Sequence, residues 1–370
     1  MSSSLVGLDI GSTGVRAIEL KVREKGKPIL LQAHEVLLPP GAVIRGEVLD
    51  ADVVISTLKE LWKKGGFKSK NVVLGVGNQS VLIRDLEVPK MALKHIRESL
   101  PFYLQNTLQA PASDFLLDFY PASETVGEKS TVINGLLIAA VKKGVTESIR
   151  VLERAGLRPV AVELIPFALN RILISQLEMM GTVALIDIGA TTTSILVSTD
   201  GVPAFVRMIS AGGDDVTQAL AKELEIGVAA ADNLKSSLKY EFQEKKDNDS
   251  LPPETNFMGE ISQSESAIVD DIRVREILRT VIDELLSRLR STLNYFNNSH
   301  PDDPILEIYL TGGGSQLVGI NEALGRVTGL PIKHVDPTTT FTLPRKKNSK
   351  KFTFEESLTV ALGLALRIKL

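Results

Sequence analysis

Two short apolar segments of this chain end in the same way, in an aspartate, a glycine and small hydroxyl residues, with Asp9 and Asp187 lying 178 residues apart. The first runs from Leu5 to Ile10, broken by Gly7 and Asp9, into Gly11, Ser12, Thr13 and Gly14; Val15 to Val22 then alternates as a return strand. The second runs from Val183 to Ile188 through Asp187 into Gly189 and Thr191, Thr192 and Thr193, with Ser194 to Ser198 returning. Apolar and polar residues that alternate between glycine-rich turns read as paired strands, so each segment predicts a hairpin. A repeat at this distance predicts an internal duplication, two α/β lobes each large enough for its own core.

The turns carry chemistry as well as geometry. Asp9, Gly11, Ser12 and Thr13 set a strand-end carboxylate beside a turn with little side-chain bulk, where backbone N–H groups can point at an anion. Asp187, Gly189, Thr191 and Thr192 repeat the arrangement. Facing each other, the two turns could hold a polyphosphate from both sides, and Asp9 and Asp187 could hold Mg2+ through its waters, since magnesium prefers oxygen and keeps much of its hydration. Either turn alone reads sooner as a plain hairpin, because Asp and Gly suit turns for backbone reasons.

Two further glycine elements follow. Ile305 to Leu310 reads as a strand running into Thr311, Gly312, Gly313, Gly314 and Ser315 before a helix expected near Leu317; such a turn lets a nucleotide approach the backbone closely. Gly212, Gly213 and Asp214 follow a strand and open a helix expected from Val216 to Leu224, where Asp214 reads either as an N-cap or as a phosphate contact. No Gly-x-x-x-x-Gly-Lys-Ser/Thr string occurs, which excludes a P-loop.

Charge and composition remove other classes. With 42 Lys and Arg against 45 Asp and Glu, the net charge of -3 gives no broad cationic surface, so nucleic acid is not expected as the main partner. The absence of cysteine excludes disulfides, thiolate metal sites and cysteine nucleophiles, and His34, His95, His300 and His334 are too scattered in sequence to suggest a metal site. The N-terminus lacks the pattern of a secretory signal, and the longest apolar runs, 132–141 and 358–366, fall short of the ~20 residues a membrane helix needs. A cytoplasmic protein is expected, reaching a membrane only through a partner. Helical spacing of apolar residues predicts helices over 222–240 and 269–296. The polar stretches 241–266 and 345–351 read as exposed loops.

The order of the four elements carries a resemblance. GLDIGSTGVR, LIDIGATTTSI, SAGGDD and YLTGGGSQLVGI resemble the two phosphate loops, the following Gly-Gly turn and the adenosine motif of the actin, heat-shock chaperone and sugar kinase superfamily. ADNLKSSL resembles the helix whose acidic and lysine side chains reach ribose and base, although Asp232 and Lys235 read equally as an exposed i, i+3 pair. LERAGLRPVAVEL running into IPFALNR, LRSTLNYF and ESLTVALGLALR are similar to the PilM and FtsA branch, and most similar to PilM.

The resemblance implies an actin-like (ribonuclease H-like) duplicated, two-lobed α/β fold with a small inserted α+β subdomain. Residues 1–84 would open the first lobe, 85–163 form the insert, 164–182 the connecting helix, 183–350 the second lobe and 351–370 a helix returning to the first. It implies ATP and Mg2+ as cofactors, held by Asp9, Gly11, Ser12, Thr13, Arg16, Asp187, Gly189, Thr191, Thr192, Gly212, Gly213, Asp232, Lys235, Gly312, Gly313, Gly314 and Ser315, with Asp9 and Asp187 at the metal. The implied function is a cytoplasmic scaffold of the type IV pilus machine. Its insert would hold the N-terminal cytoplasmic peptide of PilN in a groove walled by 86–104 and 136–142, residues that read equally as subdomain core. Motor ATPases are implied as further partners, recruitment to the inner face of the membrane would come through the partner, and homo-oligomerisation stays open.

Actin-like filament proteins often carry an acid just before the proline of the connecting helix. Ile165 stands there, after Leu164, with Glu163 the nearest acid, so at most slow ATPase activity is expected. An FtsA-like division filament would need a membrane-targeting helix beyond the last core helix, and a small-molecule kinase would need larger insertions around a substrate pocket. Neither is visible in this sequence.

Overall fold

The computed structural model describes residues 4–21, 23, 25–78, 80–104, 110–127, 130–174, 181–240, 263–344 and 354–369. The first lobe opens with β1 (Ser4–Ile10) and β2 (Gly14–Lys21), paired antiparallel so that Asp9 lies opposite Arg16, and β3 (Ile29–Leu37) on the far side of β2. A short pair, β4 (Val43–Ile44) and β5 (Glu47–Val48), leads to helix α1 (Ala51–Gly65). Asp50 accepts the Val53 N–H at 3.1 Å to cap α1, and Gly66 closes it in the left-handed region. Between these caps, Val54, Ile55, Leu58 and Leu61 recur at helical spacing and bury against the sheet, each worth ~1.5–3 kcal/mol of transfer free energy. Strand β6 (Asn71–Val76) then runs parallel to β1.

An insert follows, made of β7 (Val81–Pro89), α2 (Leu93–Leu104), β8 (Phe115–Val126) and β9 (Thr131–Val141), its three strands ordered β7-β9-β8. Helix α3 (Lys142–Arg154) and β10 (Arg158–Leu164) return to the first lobe, where β10 pairs parallel with β6 and Val151 and Leu152 join the core beneath α1. By strand pairing the insert therefore spans 81–141, not the expected 85–163. Helix α4 (Ile165–Ile174) crosses to the second lobe.

The second lobe repeats the first. Its strands are β11 (Thr182–Ile188), β12 (Thr193–Thr199), β13 (Val202–Ile209), β14 (Ile305–Thr311) and β15 (Ile332–His334). The two sheets, β3-β2-β1-β6-β10 and β13-β12-β11-β14-β15, share one order and one pattern, an antiparallel hairpin pair beside two parallel crossovers. The helices here are α5 (Gly213–Glu223), α6 (Val228–Ser237), α7 (Gln263–Ser299) and α8 (Ile320–Thr328). The continuous helix expected over 222–240 is broken, because Glu225 turns to a φ of 54° and Gly227 is extended before α6 starts. The helix expected near Leu317 starts at Ile320, after a short 3-10 turn and Gly319 at φ 94°.

Helix α9 (Thr359–Ala365) returns to the first lobe, packing on β1 and α4. A shared core of Ile18, Leu169, Leu185, Tyr309 and Leu362 joins the lobes through these two crossings. A second junction lies at the base of the insert, where Val81, Leu136 and Ala140 bury against Leu196 and Val206 of the second lobe, with Tyr120 and Phe167 in ring contact at 5.0 Å. The insert thus touches both lobes. Among the described residues no helix is long and apolar enough to cross a membrane. The stretches 241–262 and 345–351 lie outside the described residues, and with them nearly all of both expected loops.

Candidate functional site

Both acidic hairpins open into one cleft of about 500 Å³ between the lobes, in the size range of small-molecule sites. Their turns are built alike: Gly11 N–H donates to Gly14 O and Gly189 N–H to Thr192 O, each at 3.0 Å. They meet across the cleft, with the hydroxyls of Ser12 and Thr191 2.9 Å apart. Asp9 and Asp187 line the same space. The Asp187 carboxyl is raised to about 7, by burial first and by the charge of the nearby Asp9 second, with Arg16 opposing both. Asp9 is also raised by burial, against the pull of Arg16. A positive charge placed between the two carboxylates would lower the cost of ionising both.

At Gly212, Gly312 and Gly314 the glycine turns pack against the second hairpin so tightly that no side chain would fit. Gly312 has φ 89°, and a Cβ there would lie 2.4 Å from Asp187 Oδ1 and 2.5 Å from Ile188 O. A Cβ on Gly212 would lie 2.4 Å from Gly189 O, while the Gly213 N–H donates to that same carbonyl at 3.0 Å and Asp214 N–H to Ala190 O at 2.7 Å. Gly212 heads α5, and its own N–H donates to Asp215 at 2.8 Å. Asp214 is therefore not the cap; it lines the cleft.

Gly313 and Gly314 also line the cleft, but Ser315 does not: it is buried, donating its hydroxyl to Gly312 O at 2.7 Å, which braces the loop from behind. Lys235 also lines the cleft, and its Nζ donates to Asp232 at 2.7 Å and to Thr217 at 2.8 Å. That hydrogen bond holds the Asp232 carboxyl below its usual value. The structure thus brings together Asp9, Gly11, Ser12, Thr13, Arg16, Asp187, Gly189, Thr191, Thr192, Gly212, Gly213, Asp232, Lys235 and Gly312 to Gly314 in one cleft.

Sequence reasoning did not single out several neighbours. Glu35 pairs with Arg16 across β2 and β3, a proximity set by strand register with no local motif. Gln316 donates to Glu356, which ties the glycine loop to the segment before α9. The cleft also continues past the hairpins into a seam between first lobe and insert, lined by Val48, Asn78, Val81, Val141, Val145 and Ser148. The expected groove walls are largely core: Leu86, Ile96, Leu100, Leu104 and Leu137 pack on one another inside the insert. Of that expectation, only Ala140 and Val141 border the seam. Glu163 is buried and ion-paired to Arg171 and Arg367, whereas Ile165 faces the cleft.

Comparison with known proteins follows the same lines. Residues 7–264 match the family described as type IV pilus assembly protein PilM, and residues 184–362 match that of cell division protein FtsA. A chain of the PilM–PilN type IV pilus biogenesis complex superposes with a TM-score of 0.80 at 25% identity, over 99% of both chains. MreB5 of Spiroplasma citri bound to AMPPNP shares the fold at TM-score 0.54 and 13% identity, over 99% of this chain and 96% of that one. Cell division protein FtsA of Bacillus subtilis (strain 168) is 23% identical over 310 residues, 76% of this chain and 69% of its own length. The architecture is that of the actin-like fold.

Proposed function

The chain belongs to the type IV pilus assembly protein PilM family, and on that premise we propose that it is an ATP-binding scaffold of the pilus machine that holds a PilN-like N-terminal peptide. The observation that carries the nucleotide half is the meeting of two acidic hairpins in one cleft, Ser12 to Thr191 at 2.9 Å, with Asp9 and Asp187 both raised by burial. Backbone N–H groups of the hairpins would hold the phosphates, Asp9 and Asp187 would hold Mg2+ through its waters, and Asp232 and Lys235 would meet the nucleoside above the Gly312 to Gly314 shelf. Among the described residues no cluster of three or more His, Cys, Asp or Glu stands ready to ligate a metal. Two carboxylates with room for water and phosphate oxygens suit Mg2+, which seldom takes an all-protein cage. The bound metal would supply charge neutralisation to the phosphates.

Slow hydrolysis at most goes with this reading. The only acid near the start of α4 is Glu163, and its carboxylate is committed to Arg171 and Arg367, leaving Ile165 toward the cleft. An apolar side chain cannot orient or deprotonate an attacking water. The peptide half rests on the seam beyond the hairpins, where Val48, Val141 and Val145 offer apolar wall and Asn78 and Ser148 polar contacts to an extended backbone. The solved relative is itself a PilM–PilN complex. We place the protein in the cytoplasm, drawn to the inner membrane face by its partner, where it would pass nucleotide state toward the motor ATPases.

The test is a titration of a synthetic peptide copied from the N-terminus of the neighbouring membrane protein, with and without ATP and Mg2+. Binding that strengthens or weakens with nucleotide is the expected result. No peptide binding in either condition ends the scaffold reading, and turnover of ATP at the ~10 s⁻¹ typical of metabolic enzymes ends the slow-hydrolysis one.

A further inference from the structure

We propose that Glu35, a residue outside the cleft wall, is a positioning residue for the phosphate end of the site, acting through Arg16. This inference rests on the nucleotide-binding reading above. Strand register places Asp9, Arg16 and Glu35 side by side across β1, β2 and β3. Arg16 lines the cleft and Glu35 does not.

The two ends of the Arg16 guanidinium are held very differently. Nη2 donates to Glu35 Oε1 at 2.7 Å and to Thr13 Oγ1 at 3.1 Å. Nη1 has only long contacts, 3.5 Å to Gly14 O and 3.6 Å to Asp9 Oδ2, and a Cβ placed on Gly11 would meet it at 2.8 Å. The guanidinium is therefore anchored by one nitrogen, with the other laid over the glycine of the first phosphate turn. A planar fork held at one prong presents the second in a fixed direction, which is how arginine recognises an anion with little loss of freedom. Glu35 is itself fixed: its other oxygen accepts the Ser357 hydroxyl at 2.7 Å, from the segment that opens α9, and its Oε1 packs against Gly14. The ligand of this device is the anionic phosphate end of a nucleotide.

A charge argument predicts the opposite sign, since a carboxylate near the site repels the phosphates and its removal would tighten binding. Affinities for ATP and for adenosine are to be measured by displacement of a fluorescent ATP analogue, on full-length wild type, Glu35→Ala, Glu35→Gln, Arg16→Ala and the double variant Arg16→Ala/Glu35→Ala. Melting curves check that each is folded. Glu35→Ala is expected to lose about tenfold in ATP affinity, the weight of roughly one charge-assisted hydrogen bond, with adenosine unchanged. Glu35→Gln, which still offers an oxygen to Nη2, is expected to keep most of that affinity. The double variant is expected to bind no worse than Arg16→Ala alone, because the two act as one unit. Tighter ATP binding by Glu35→Ala, additive losses in the double variant, or an equal loss for adenosine each overturns the proposal. Failure of wild type to bind ATP at all overturns instead the reading beneath it.

Discussion

Asp187→Asn tests the electrostatics of the cleft without any ligand. In the free protein the Asp187 carboxyl is pushed from 3.8 up to about 7, by burial first and the charge of Asp9 second. Between those two values the unfolded chain has released this proton while the folded one retains it. Stability therefore falls as pH rises from about 4 toward 7 and levels off above, the direction required when the folded value is the higher one. The whole rise is worth roughly 4 kcal/mol. Asp187 is partly open to the cleft, so water relieves some of the cost and we expect about half, ~2 kcal/mol. Asparagine cannot ionise and keeps the shape. In EDTA and without nucleotide, Asp187→Asn should match wild type in Tm near pH 4 and exceed it by a few degrees at pH 7.5, measured by calorimetry. With ATP and Mg2+ the order should reverse, since only wild type gains the metal. Parallel curves of Tm against pH for the two proteins would refute the argument.

Other outcomes follow from the same geometry. Gly312→Ala combines left-handed backbone strain of ~1–2 kcal/mol with a Cβ 2.4 Å from Asp187 Oδ1, so both Tm and ATP affinity should fall; unchanged calorimetry would show that the loop is not held as described. Arg171→Ala strands Glu163 in a buried position with only Arg367, at 3.8 Å, to answer it, and should cost ~3 kcal/mol in urea unfolding with little effect on ATP binding. Ser148→Trp fills the seam end of the cleft from a helix face; peptide affinity should drop at least about tenfold while the Kd for ATP, measured without peptide, stays within about twofold, and isothermal titration of both ligands checks it.

The parts of the site that depend on a few consecutive residues were readable in the chain. A strand-end aspartate, a glycine and small hydroxyls constrain their own turn, and the two turns came out alike because their sequences are alike. In the glycine run at 312–314, Gly312 and Gly314 sit so close to Ile188 that neither has room for a Cβ. What depends on pairing across distance was not readable. Glu35 sits beside Arg16 only because β2 and β3 pair in one register, and a one-residue slip would put it on the other face. Ile96, Leu100 and Leu104 have the same spacing whether they line a groove or fill a core, and helical periodicity cannot distinguish these. Nothing local in α3 and β10 marks which sheet they join, and only the pairing of β10 with β6 assigns them to the first lobe. The break between α5 and α6 was hidden because apolar spacing continues through Glu225.

The insert packs against the first lobe and, through Leu196 and Val206, against the second. Any change in lobe spacing must therefore shear that contact or carry the insert with it. Occupants of the cleft and of the seam would then share a thermodynamic cycle, and whatever factor the first adds to the affinity of the second, the second returns unchanged to the first.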